Sequence, residues 1–255
     1  MGEITINEKF FQLGKILKSQ PLSLDGINSL RPVQPPSFCK VHQKAAHFLT
    51  LVINEMKYDK TWIGDLLGGS LRSRESRLIA EIMLQLPSKG QWQQHLVTEN
   101  ILQASSERTA IRYARTLRLR LSMLDSKGLE LVVHGSERER QQCLMVALML
   151  QSPVVAAFIS LVVNDAKRQF RESLPANVWE VFVEDQRRVH PELTRFSESS
   201  LKKMGNNAIK ALSEARYLDA PHRRQLQTVF LLPEIHDLLI RLKRSDLIPL
   251  MEGKQ

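Results

Sequence analysis

The sequence predicts a mainly α-helical, multi-helical globular body. Apolar residues recur at three- and four-residue spacing through most of the 255 residues. Proline, glycine and Ser/Asn cap signals punctuate those runs at helix-length intervals. Strand-type patterning is nearly confined to 228–232. With 43% hydrophobic and 25% charged residues, the chain can bury a real core as one large domain or two small ones. The expected organisation is an N-terminal helical arm at 1–37 and helical regions at 38–135 and 136–255, each region with a helix-turn-helix-like unit.

In chain order, Asn7 caps an expected helix carrying Phe10, Phe11, Leu13, Ile16 and Leu17, which Pro21 ends. A short helix follows after Asp25, and Pro32, Pro35 and Pro36 make a stiff linker. A helix at 38–58 turns Val41, Ala45, Phe48, Leu49, Val52 and Met56 inward. His42 and His47 on it are five apart, off the i,i+4 spacing of helical metal ligands, so no metal is expected. Trp62, Ile63, Leu66 and Leu67 form an apolar turn that Gly68 and Gly69 close. Without GxGxxG or GxxxxGK[ST], that pair is a helix stop. A helix at 73–86 buries Leu78, Ile79, Ile82, Met83 and Leu86 before Pro87, and a short one at 91–98 is anchored by Trp92 and Leu96.

The turn at 99–104 leads into the most informative stretch, 105–125. Ala110, Ala114, Leu117, Leu121 and Leu124 make a core-facing stripe, with Ser105 or Ser106 as N-cap. Arg108, Arg112 and Arg115 fall opposite the stripe, and Arg118 and Arg120 fall on its flanks. Glu107 is the only acid before Asp125. A solvated face usually mixes Glu with Lys or Arg at i,i+4, since like charges there destabilise a helix. An anionic partner explains the imbalance. Two short helices followed by a longer basic one is also the order of a helix-turn-helix unit, an order many all-α domains share.

Ser136 and Glu139 form a capping box that starts an apolar helix ending near Gln151. The run at 143–163 has the length of a membrane span. Ser152 and Pro153 interrupt it with a capping serine and a proline at the first helical position, so two buried helices are expected instead. The second turns amphipathic at Asp165, Lys167, Arg168 and Arg171. A helix within 175–189 points Val178, Trp179, Phe182 and Val183 inward and stops at His190-Pro191.

The helix at 197–216 is the second candidate reader. Leu201, Met204, Ala208, Leu212 and Ala215 are its buried stripe, with Lys202, Lys203 and Lys210 outside it. A basic turn with Arg223 and Arg224 and the β-prone run at 228–232 follow, resembling a winged helix whose wing touches phosphate. A helix, a loop and a partly buried strand fit the same residues. A closing helix at 233–251 turns Ile235, Leu238, Leu239 and Leu242 inward.

Thirty-six Lys and Arg against 27 Asp and Glu give a net charge of +9, which favours nucleic acid or another anionic surface. Cys39 and Cys143 show no ligand spacing and read as reduced, buried thiols of a cytoplasmic protein. The N-terminus lacks the basic and apolar regions of a signal peptide. No nucleophile elbow, HExxH motif or paired-carboxylate segment appears. No enzymatic activity, catalytic residue or cofactor is therefore expected.

The segments SRESRLIAEIMLQL, NILQASSERTAIRYARTLRLRLSML, HPELTRFSESSLKKMGNNAIKALSEARYL and LLPEIHDLL, in this order, resemble the BrxA family of bacteriophage-exclusion (BREX) systems. The resemblance covers about three quarters of the chain, from Gly69 onward, and is most specific in Leu-Gln-Ala-Ser-Ser and His-Pro-Glu-Leu. It implies a small non-enzymatic component of a defence system that methylates host DNA and blocks phage replication. It also implies an all-α body likened to the RNA-binding factor NusB. Members of the family have been called inner-membrane proteins, and the interrupted run at 143–163 shows how that label arises.

The expected function is double-stranded DNA binding by a monomer, without membrane association and with little sequence preference. Arg108, Arg112, Arg115, Arg118 and Arg120 form one contact region, and Lys202, Lys203, Lys210, Arg223 and Arg224 a second. The alternatives are an RNA-binding module and an adaptor docking acidic partner subunits, other BREX components among them. Low aromatic content, with Tyr113 the one candidate stacker, favours duplex DNA over RNA.

Overall fold

The structure is a computed structural model that describes residues 62–253. The helices expected before Tyr58, with His42, His47 and Cys39, lie outside the described residues. The described helices are α1 Ser73–Leu84, α2 Lys89–Gln93, α3 Glu107–Leu121, α4 Ser126–His134, α5 Glu137–Gln151, α6 Pro153–Arg168, α7 Val178–Gln186, α8 Glu198–Glu214, α9 Pro233–Arg241 and α10 Leu247–Glu252. The described residues are all-α, as the spacing of the apolar residues predicts.

The caps explain most boundaries. Ser88, Ser106, Asp125, Ser136 and Ser197 each accept from a backbone N–H in the first turn of α2, α3, α4, α5 and α8. Ser136 and Glu139 close the expected capping box, and Ser88 with Gln91 closes another. Helix α1 stops two residues short of expectation. Leu86 is exposed at φ +49°, because a residue before proline is pushed out of the helical region.

Helix α5 is the centre of the body, with every residue from Gln142 to Met149 buried. It meets α6 at a bend of 109° at Ser152. Pro153 holds the first helical position, but Ser152 makes no side-chain cap. The Val154 N–H donates to the Trp62 carbonyl instead, at 2.9 Å. No single described helix is long and apolar enough to cross a membrane.

Around this pair, α1 and α4 pack together on one side, with α3 against α1 and α5. On the other side, Phe158 of α6 and Trp179 and Phe182 of α7 form an aromatic cluster with centroids 5.1–5.6 Å apart. Helix α8 lies against it, and a Cβ on Gly205 would come within 2.3 Å of the Trp179 ring, so only glycine permits this approach. The Trp179 indole donates to the Leu201 carbonyl at 2.9 Å.

Two C-terminal expectations change. The closing helix is two helices, because the chain turns through Lys243 at φ +57°. The run at 228–232 forms no strand ladder. The β-type pairs among the described residues are the isolated bridges Ser173–Gln225 and Leu218–Leu226. The buried Gln142 amide takes the place of a strand partner, donating to the Phe230 carbonyl at 2.8 Å and accepting from the Leu232 N–H at 3.0 Å.

Candidate nucleic-acid interface

Helix α3 turns Ala110, Ala114, Leu117, Leu121 and the following Leu124 into the core. Arg108, Arg112 and Arg115 are exposed on the opposite side. What covers each flank decides the fate of the other two arginines. Arg118 is half-buried, with its guanidinium 4.8 Å from the centre of the Trp92 ring. Arg120 is 1% exposed beneath the turn that leads into α1. Its Nη1 donates to the Ser70 carbonyl at 2.6 Å and its Nη2 to the Gly69 carbonyl at 3.2 Å. Burial pushes its guanidinium down to about 10, against the pull of Asp65 and Glu214, so it stays charged at neutral pH. Arg120 is therefore a structural residue and leaves the list of candidate contacts.

The same turn joins the two basic regions. Thr116 of α3 donates to Asp65 at 2.7 Å. Glu214 of α8 accepts from the Leu71 N–H at 2.8 Å and the Ser70 hydroxyl at 2.9 Å, and Asn207 donates to the Leu66 carbonyl at 2.9 Å. Helices α3 and α8 thus clasp one turn from two sides. Arg72, at its end, sits 3.9 Å from the centre of the Tyr113 ring, and Arg112 sits 5.2 Å from it. The Arg72 charge lowers the Tyr113 pKa against its burial, helped by hydrogen bonds from Arg72 and Arg112. Arg72, Arg74 and Lys210 share a shallow pocket of about 340 Å³ with Glu75 and Glu214. Arg72 pairs with Glu75 at 3.4 Å and Lys210 approaches Glu214 at 3.9 Å, so the strip that runs from Arg112 through Arg72 to Lys210 is cationic but partly ion-paired. Lys203 lies two helical turns before Lys210 on the same ridge of α8.

Arg72 and Arg74 were not among the sequence candidates. Their signal, the SLRSRES stretch, was legible as charge but not as a neighbour of α3. Other candidates fall elsewhere. Lys202 turns about 100° away from Lys203 and lines a groove with Glu180, Glu184 and Glu198, the last two of which Arg187 bridges at 3.0 and 2.6 Å. Arg223 pairs with Asp219 at 2.7 Å. Arg224 is half-buried and donates to the carbonyls of Pro175, Ala176 and Pro221, so it holds a loop together.

No group of three or more His, Cys, Asp or Glu among the described residues could hold a metal ion. Burial pushes the Cys143 thiol up to about 12.

The sequence model of the BrxA family matches residues 60–243. The chain belongs to the BrxA family. Over 200 residues it is 58% identical to the BREX protein BrxA of Escherichia coli O9:H4 (strain HS), covering 78% of this chain and 94% of that one. It is 30% identical over 175 residues to the BREX protein BrxA of Paramagnetospirillum magneticum (strain ATCC 700264 / AMB-1), covering 69% and 88%. Its fold matches the crystal structure of an uncharacterized protein from Magnetospirillum magneticum with a TM-score of 0.68 at 27% identity, over 74% of this chain and 97% of that one. The family match includes all of α1, α3 and α8, the elements that carry the cationic strip.

Proposed function

We propose that this chain is a non-enzymatic, double-stranded DNA-binding component of a BREX phage-defence system. It acts in the cytoplasm as a monomer and holds the duplex by its phosphates. The supporting observation is the strip that joins Arg112 on α3, Arg72 before α1 and Lys210 on α8. Arg108, Arg115, Lys203 and Arg74 extend it. The helix-turn-helix-like order of α1, α2 and α3 would then set the basic side of α3 against the duplex.

Arg and Lys dominate the strip. Asn and Gln, which pair with adenine edges, are few on it: Asn207 is tied to the Leu66 carbonyl and Gln103 to Arg74, and Asn206, between Lys203 and Lys210, is exposed. Phosphate contacts position a protein without reading sequence, so little base preference follows. Two aromatic rings near the strip carry guanidinium groups, Tyr113 under Arg72 and Trp92 under Arg118, which leaves each with a covered face. That favours duplex DNA over RNA read by stacking. Titration of fluorescent duplex DNA, single-stranded DNA and RNA at several salt concentrations tests the proposal. The expected result is salt-dependent binding with duplex DNA preferred. Preference for RNA, or binding to acidic partner proteins alone, overturns it.

A further inference from the structure

The first turns of α5, the end of α8 and the 227–229 segment surround a pocket of about 510 Å³, a size ordinary for small-ligand sites. Glu214 lines both this pocket and the one that holds Arg72 and Lys210. The two acids that line it are already engaged. Glu214 accepts from Ser70 and Leu71, with Lys210 3.9 Å away. Asp219 accepts from the N–H groups of Ala220 and Gln225 at 2.6 and 2.9 Å and pairs with Arg223 at 2.7 Å. Its two arginines, Arg138 and Arg216, are not engaged. Both are exposed, and neither makes a side-chain hydrogen bond or ion pair with any described residue. The acids beside Arg138 are turned to their own helix: Glu137 accepts from Gln141, and Glu139 from the Ser136 N–H.

The hydroxyls of Ser213 and Thr228 and the Gln227 amide line the same pocket, also without a side-chain partner among the described residues. Two guanidinium groups, two hydroxyls and an amide therefore converge with their donors unused. Helix α8 ends here, but its carbonyls at Ala211, Leu212 and Ser213 accept from the N–H groups of Ala215, Tyr217 and Arg216, which blunts its negative end. Such a set calls for an anion with more acceptors than a carboxylate has. A phosphate group has three strong acceptor oxygens, and guanidinium matches it with paired hydrogen bonds. Buried Ala215, Leu218 and Val229 supply apolar wall for the rest of a ligand.

We infer that this pocket binds a phosphate group carried on a ligand of mononucleotide size, with Arg138 and Arg216 as its main contacts. The phosphate belongs either to a free nucleotide or to the 5′ end of a nucleic-acid strand, which share this chemistry. The inference does not rest on the duplex proposal, because none of these donors belongs to the strip.

The test titrates the full-length wild type and Arg138→Gln/Arg216→Gln with adenosine 5′-monophosphate, with adenosine, and with one DNA duplex made with and without 5′-phosphates. Both arginines are exposed and unpartnered, so the double variant should melt like the wild type. A free-nucleotide site is expected to bind adenosine 5′-monophosphate at least about tenfold more tightly than adenosine, and the double variant should lose that margin. A strand-end site is expected to favour the 5′-phosphorylated duplex by a similar factor, again only in the wild type. If the wild type distinguishes neither pair of ligands, the inference is overturned, whatever the variant does. Equal phosphate preference in wild type and double variant also overturns it. So does a double variant that binds both duplexes more weakly while adenosine 5′-monophosphate binds neither protein; the arginines would then be contacts to the duplex backbone. None of these failures touches the duplex proposal, which fails only if the wild type does not bind the unphosphorylated duplex.

Discussion

Replacing Arg120 with methionine separates a structural arginine from a DNA contact. The substitution keeps most of the apolar stem and removes the guanidinium that serves the Ser70 and Gly69 carbonyls at 2.6 and 3.2 Å. A hydrogen bond to a charged group contributes about 1.5–3 kcal/mol. Relief from burying a charge offsets part of the two-bond loss, but the two buried carbonyls are left without their donor. A net loss of about 2–4 kcal/mol follows. With a urea slope of about 2 kcal/mol/M, the unfolding midpoint falls by about 1–2 M. Arg108→Met, on the exposed side of the same helix, is the control and should move stability by no more than about 0.5 kcal/mol. Circular dichroism during urea titration measures both. An Arg120→Met midpoint equal to the control's refutes the reasoning. If that variant also bound DNA more weakly, Arg120 would return to the interface.

Gly205→Ala drives a Cβ to within 2.3 Å of the Trp179 ring, and calorimetry should show a loss of about 1–3 kcal/mol. In a Cys39→Ser background, Cys143 should ignore a thiol reagent at neutral pH until denaturant is added, because burial holds its thiol near 12. An ultraviolet titration should find one of the three tyrosines ionising below the ordinary value. Tyr113→Phe removes that transition. Arg72→Ala raises it, since the Arg72 charge favours the phenolate.

The core was legible because burial imposes a period. All five stripe residues of α3 and all five of the α8 helix lie inside, and Ser106, Ser136 and Ser197 mark the starts that their side chains require. The flanks were not legible, since a flank is solvent or interior according to what packs beside it. Arg118 and Arg120 stand on opposite flanks of one helix. Trp92 shelters one and the Gly69–Ser70 turn encloses the other, through contacts about 25 and 50 residues away in sequence. Lys202 and Lys203 differ by one step of helical rotation, which turns Lys202 alone into the groove that Glu180, Glu184, Arg187 and Glu198 line. The run at 228–232 has the composition of a strand, but the Gln142 side chain, remote in sequence, satisfies its backbone.

The most direct test of phosphate-mediated duplex binding is the slope of log affinity against log salt for the wild type and for Arg108→Ala/Arg112→Ala/Arg115→Ala. Each phosphate contact releases condensed counterions, so each contact removed lowers the slope by roughly one unit, up to about three for the triple variant. Alanine is the better helix former and the buried stripe is untouched, so circular dichroism should show an intact fold. Weaker binding at low salt with a flattened slope is the expected result. A folded triple variant with the wild-type affinity and the wild-type slope would contradict the account.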